Sequence, residues 1–286
     1  MENNIELKNV SKEYPGFQLK DISFNVPKGS IVGLIGENGA GKTTTIKALL
    51  NIINYNGQIK IFNKDIKEGE KNIKQDLGIV LDDSFLSDYL TPKGINTIMK
   101  NLYPSWNSNK YFNYVKDFKL PSNKLIKNFS SGMKMKLKII TAISHNPRVL
   151  ILDEPTSGLD PIIRKEILDL FRQYIAEDEE RSILISSHIT SDLEHISDYT
   201  IFINNGQIIL SLPTTDLLEN YGIVKCTEQE FKKLKKDDYI TYLKGKYHYE
   251  ILIKDKNLFT KKYAIKTIDK PSIDEIMLLY VKGEKL

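Results

Sequence analysis

Gly36-Glu37-Asn38-Gly39-Ala40-Gly41-Lys42-Thr43-Thr44 is the stretch whose reading decides the fold of this 286-residue chain. It fits the pattern G-x-x-x-x-G-K-[ST], and its flanks fit as well. Before it, Ser30-Ile31-Val32-Gly33-Leu34-Ile35 is an apolar run of buried-strand length. After it, Ile46, Leu49 and Leu50 share one face of a helix opening at Thr44. Strand, glycine loop and helix in that order make a phosphate-binding loop. The glycines let successive backbone N–H groups turn inward, and the helix N-terminus adds partial positive charge. Lys42 is expected to reach the β- and γ-phosphates, and the Thr43 hydroxyl to ligate Mg²⁺.

Around that loop the composition is that of an ordinary globular chain, 41% hydrophobic and 27% charged, with room for one large domain and a smaller one. The net charge of +4 is too small to argue for nucleic acid. In the C-terminal part Lys232-Lys233 and Lys235-Lys236 are followed at once by Asp237-Asp238, the pattern of a solvated face rather than a nucleic-acid or phospholipid patch, so no nucleic-acid partner is expected. Cys226 is the only cysteine, which excludes an intrachain disulfide and a thiolate zinc cluster and leaves a small buried apolar residue as its reading. The chain starts Met-Glu-Asn-Asn, and no secretion signal is expected. No apolar stretch approaches the roughly 18–20 residues that cross a bilayer, which points to a cytoplasmic protein.

Strand-like runs fall at 5–10, 19–26, 57–62 and 76–81, the last closed by Asp82-Asp83. Two amphipathic helices follow, carrying Ile95, Ile98, Met99, Leu102 and Tyr103, then Tyr111, Tyr114, Val115 and Phe118, so that about 85–145 reads as a helical insertion. Residues 148–154 return to a fully apolar strand ending in Asp153-Glu154. Asp160 then caps a helix with Pro161 at its first position, and 182–186 is another buried strand leading to His188. Residues 199–203 and 207–210 flank Asn204-Asn205-Gly206 as a hairpin. The alternation gives an α/β fold with a mainly parallel sheet and antiparallel strands near the N-terminus, over residues 1–213. Beyond it, 214–286 reads as a small α+β appendage with a hairpin about Lys244-Gly245 and capping boxes at Thr227–Glu230 and Ser272–Glu275.

Asp153-Glu154 narrows the chemistry. Asp153 is expected to hold Mg²⁺, and Glu154 to face the attacking water as general base or orienting group. A GTPase would need Asn-Lys-x-Asp, but Asn63-Lys64-Asp65 has its aspartate one place early and D-x-x-G is absent. A G-x-S-x-G hydrolase elbow is absent too.

Over about residues 1–215 the chain resembles the nucleotide-binding subunit of an ABC transporter, with the family's motifs in order. The resemblance implies a P-loop NTPase core with an antiparallel β subdomain and an inserted helical subdomain. It implies that Tyr14 stacks on adenine, that Gly36–Thr44 binds ATP, and that Ser130, Ser131 and Gly132 open the signature helix. It places Asp160 in the family loop Ser157-Gly158-Leu159-Asp160 and makes His188 the switch histidine beside the γ-phosphate. A helix N-terminus can bind phosphate, and the family solution is that Ser130–Gly132 faces the ATP of a second ATPase subunit, in a homo- or heterodimer that nucleotide holds together. The resemblance further implies a membrane-spanning permease partner, a location at the inner face of the membrane through it, and an exporter, similar to Gram-positive drug or peptide efflux ATPases. The alternative is a soluble ATPase of the same fold with a non-transport role. The chain departs from the family where Asp82, or Asp83 in an alignment shifted by one, stands at a usual glutamine as an expected sensor of Mg²⁺ or water, and where Ser131 and Met133 replace a glycine and a glutamine.

Overall fold

The computed structural model describes residues 2–81, 86–263 and 267–284, apart from the side chains of Glu70 and Lys71; Asp82 and Asp83 lie outside the described residues. Near the N-terminus, alternating apolar and polar residues give β1 (Asn3–Tyr14), β2 (Phe17–Pro27), β4 (Asn56–Ile61) and β5 (Lys64–Asp65), an antiparallel sheet in the order β2-β1-β4-β5. The continuous apolar runs give a second sheet of β3 (Ile31–Ile35), β6 (Leu77–Val80), β7 (Val149–Asp153), β8 (Ser182–Ser187), β9 (Tyr199–Asn204) and β10 (Gln207–Pro213). Its order is β10-β9-β3-β8-β7-β6, parallel throughout except for the β9–β10 hairpin. Every residue of β3, β7 and β8 is buried, because a parallel sheet is covered on both faces.

One face of this sheet packs with the antiparallel sheet and α1 (Lys42–Leu49) around Ile22, Ile46, Ile151 and Leu184. The other packs with α5 (Ser131–Ile143), α6 (Pro161–Ala176) and α7 (Thr190–Ile196) around Ile143, Leu152, Phe171 and Leu193. Each such side chain, fully withdrawn from water, contributes about 1.5–3 kcal/mol. Between β6 and β7, α3 (Pro92–Leu102) and α4 (Ser108–Asp117) pack on α5 about Trp106 and Tyr111, whose hydroxyl donates to the Pro92 carbonyl at 3.0 Å. After β10 come α8 (Thr214–Glu219), α9 (Glu228–Phe231), α10 (Lys256–Lys262), α11 (Ile273–Lys282) and a third, antiparallel sheet in the order β12-β13-β11-β14, made of β11 (Gly222–Cys226), β12 (Thr241–Lys244), β13 (Tyr249–Ile253) and β14 (Ile268–Asp269).

Three local expectations change. The helix α2 (Ile66–Gln75) has no counterpart in the sequence reading: among its described side chains only Ile66 and Ile73 bury, and Gly69 kinks it, so its apolar period is too sparse to read. The stripe expected on α3 is wider than its buried face, since Ile98 and Leu102 are exposed while Ile95 is buried. The strand expected from Lys246 begins at Tyr249, because a turn closed by Gly245 N–H on the His248 carbonyl takes up the preceding residues.

Candidate active site

In an open α/β sheet, ligands gather at the carboxyl ends of the strands. Here β3, β8 and β7 are neighbours with Ile35 opposite Ser187 and Asp153 opposite Ser186, so three functional segments emerge side by side. The loop Gly36–Gly41 leaves β3, Glu154 leaves β7, and His188 follows β8.

Gly41 sets the loop's exit into α1. Its φ of 116° belongs to glycine, and a Cβ there would stand 2.7 Å from Leu19 Cδ2. Lys42 then turns back over the loop, its Nζ donating to the carbonyls of Gly36 (2.7 Å) and Glu37 (3.2 Å), with Glu154 Oε1 3.2 Å away. That carboxylate oxygen is buried and makes no directed hydrogen bond, so its link to Lys42 is an ion pair. Thr43 Oγ1 donates to Asp153 Oδ2 at 2.8 Å, and Ser186 Oγ donates to Asp153 Oδ1 at 2.5 Å. Asp153 is buried.

Glu154 has a φ of 51°, unusual for a residue with a Cβ and costing about 1–2 kcal/mol. Its N–H is held by Ser186, through the carbonyl (3.2 Å) and Oγ (3.1 Å). That twist turns the Glu154 side chain across the strand ends, where Oε2 accepts from the His188 backbone N–H (3.3 Å) and lies 2.7 Å from His188 Nδ1. A carboxylate oxygen accepts, so Nδ1 carries the proton in this contact. Lys42, Thr43, Asp153 and Glu154 thus share one cavity edge, and Glu154 links it to His188.

The cavity over the loop, about 410 Å³, is lined by Gly39, Lys42, Thr43, Asp153, Glu154 and Phe17. Sequence reasoning passed over Phe17 and Ser186. Tyr14, 38% exposed, lines a neighbouring shallow depression with Phe17, its partner across the β1–β2 turn. The alternation that places Phe17 near the loop depends on that register. Ser130, Ser131 and Gly132 do not line the cavity: Ser130 caps α5 by accepting from Met133 N–H at 3.3 Å, and Ser131 is exposed. Asp160 is outside it too, capping α6 by accepting from the N–H groups of Ile162 (3.1 Å) and Ile163 (3.0 Å).

Among the described residues no group of three or more His, Cys, Asp and Glu could cage a metal. A hydroxyl and one carboxylate meeting at the loop, Thr43 with Asp153, are instead the donor set of an ion shared with phosphates and water, which suits Mg²⁺. No helix among the described residues is long and apolar enough to cross a membrane.

Residues 19–157 match the family described as ABC transporter. The chain is 32% identical over 219 residues to the ABC transporter ATP-binding protein YtrB of Bacillus subtilis (strain 168), covering 76% of this chain and 74% of that one. It is 35% identical over 213 residues to the bacitracin transport ATP-binding protein BcrA of Bacillus licheniformis, covering 73% and 69%. A solved structure of the ATP binding subunit of an ABC transporter superposes with a TM-score of 0.67 at 28% identity, covering 74% of this chain and 91% of that one.

Proposed function

The chain belongs to the ABC transporter family as an ATP-binding, ATP-hydrolysing subunit, and from that premise we propose that it drives a separate permease, as an exporter, through Mg²⁺-dependent hydrolysis in a head-to-tail pair of subunits. The observation that carries the hydrolytic part is the Lys42–Glu154–His188 chain standing beside the Thr43–Asp153 pair. Relatives named for transport favour that role over a non-transport ATPase.

The site is poised in an exchange. Lys42 Nζ rests on two loop carbonyls and Glu154, and the β- and γ-phosphates of ATP are stronger partners for it. As Lys42 turns to phosphate, Glu154 Oε1 is released to a water in line with the γ-phosphorus. Glu154 takes a proton from that water as its oxygen bonds to phosphorus, the bond to the bridging oxygen breaks, and ADP leaves with those electrons. His188 holds Oε2 so that Oε1 faces the water, and its Nε2 side is available to the γ-phosphate. Thr43 and Asp153 would hold Mg²⁺, which would offset charge on the phosphate oxygens. Tyr14, with Phe17 beside it, supplies the aromatic surface for adenine, and Asn38 with the Gly39–Thr44 backbone N–H groups cradles the phosphates.

Ser130, Ser131 and Gly132, remote from the subunit's own cavity, serve the partner's ATP, and hydrolysis lets the pair open. Residues 1–213 form the ATPase domain in this reading. The permease docks on the helical segment, where Tyr89, Ile98 and Leu102 are exposed, and holds the subunit at the inner face of the membrane. Glu154→Gln tests the chemistry: it should bind ATP with near-parental affinity, lose phosphate release by at least about 100-fold, and accumulate as a dimer. Hydrolysis at the parental rate would remove Glu154 from its role.

A further inference from the structure

We infer that the cavity between the tail helix α11 and the phosphate loop receives the first turn of the second subunit's α6, led by Ile162, so that the tail extends the nucleotide-dependent interface. This rests on the head-to-tail reading above and goes beyond it by giving α11 a partner.

The cavity, about 490 Å³, has Gly36–Asn38 and His188 as one wall and Asp274, Leu278 and Val281 of α11 as the other. The helix is fixed there by the ATPase core. Ile273 N–H donates to Glu194 Oε1 of α7 at 2.5 Å, and Ile273 packs in the cluster of Leu193 and Ile196. Ile276 and Leu279 are buried against Phe202 and Leu217. Those contacts use one face of α11, and Leu278, 43% exposed, stays beside the loop that holds phosphate.

The occupant follows from how the signature helix is built. A Cβ at Gly132 would collide with Ile163 Cδ1, so the first turns of α5 and α6 touch directly and move as one body. Any subunit that offers Ser130–Gly132 to a neighbour's ATP therefore brings along Ile162, which is 74% exposed. It arrives at the neighbour's phosphate loop, whose flank is this cavity. Charge agrees with the fit. Lys165 is exposed three residues on from Ile162, on the same side of α6. The cavity offers Glu37 and Asp274. Glu275 is spent on the Ser272 capping box, whereas Asp274 has no partner among the described residues.

The full chain with Mg²⁺ and a non-hydrolysable ATP analogue, followed by sedimentation, tests this. Asp274→Lys and Lys165→Glu should each weaken the nucleotide-dependent dimer about 10-fold, and the double variant should return to within about 3-fold of the parent. Separately, Ile162→Cys with Leu278→Cys should form an intersubunit disulfide only with nucleotide, the native Cys226 being buried. A Ser131→Cys, Asn38→Cys pair serves as control. If that control cross-links with nucleotide but the Ile162–Leu278 pair does not, and the charge variants dimerise like the parent, the head-to-tail reading stands and this docking is overturned. If neither pair cross-links and the parent forms no nucleotide-dependent dimer, both fall.

Discussion

Ser186 carries more of the site than its type suggests. Its hydroxyl donates to Asp153 and accepts from the Glu154 N–H, so one side chain fixes the carboxylate beside Thr43 and the strained turn that aims Glu154. Ser186→Ala should lower kcat about 10-fold while ATP affinity stays within about 3-fold, and Ser186→Thr should recover most of the loss, since the energy of an oriented hydrogen bond appears in the reacting geometry. Equal losses in kcat and affinity would make Ser186 merely structural. At His145 the expected effect is on stability. The ring is buried against Tyr103, with Nε2 3.1 Å from the Leu77 carbonyl, and burial pushes its pKa down to about 4 from an ordinary 6.5. Between those values the unfolded chain binds the proton and the folded one does not. The contribution is therefore whole above pH 6.5 and declines as pH falls toward 4. His145→Phe, which keeps the stacking and cannot titrate, should lose less stability than the parent between pH 7.5 and 5, by about 2 kcal/mol in urea unfolding. Parallel losses would contradict the assignment.

At the scale of elements, α6 shows a residue with two separable duties. Asp160 accepts from two first-turn N–H groups, a cap that alanine cannot replace. Asp160→Ala should cost about 1 kcal/mol in urea unfolding, while Asp160→Asn should retain stability because the amide oxygen caps equally well. Any loss of hydrolysis in the asparagine variant then reports on the charge. This cap was legible in the sequence, as were the Thr227 and Ser272 capping boxes and the buried strands of the parallel sheet, because each is written in a few adjacent residues. What adjacent residues do not carry was hidden. The meeting of Ser186 with Asp153 depends on the β7–β8 register, and the approach of Phe17 to Gly41 depends on how the two sheets pack. The helix α2 escaped because its charged face outweighs two buried isoleucines. Lys42, Asp153, Glu154 and His188 could be named singly, whereas the resting ion pair between Lys42 and Glu154 could not.

For the whole molecule, the question is whether the tail stands apart from the ATPase. Its α11 does not pack on its own sheet alone. Ile276 and Leu279 share a cluster with Phe202 and Leu210 of the β9–β10 hairpin, and Met277 touches both that cluster and the central one. The central cluster in turn shares Tyr114 and Phe118 with the helical segment around Trp106. Apolar packing is thus continuous from the tail, across the parallel sheet, to the far helices. Strain in a close-packed interior is transmitted, so a cavity at α11 should be felt throughout. Ile276→Ala should cost about 2–4 kcal/mol. Trp106 is the only tryptophan and packs in the helical segment's cluster rather than that of Ile276, so its fluorescence reports unfolding away from the mutation's own cluster, while far-UV circular dichroism reports the whole chain. Both transitions should move together to lower urea, because the tail helix is part of the core that holds the phosphate loop. An early loss of dichroism with the Trp106 transition unmoved would instead make the tail a separately melting unit, too loosely held to position Leu278 and Asp274 beside the nucleotide.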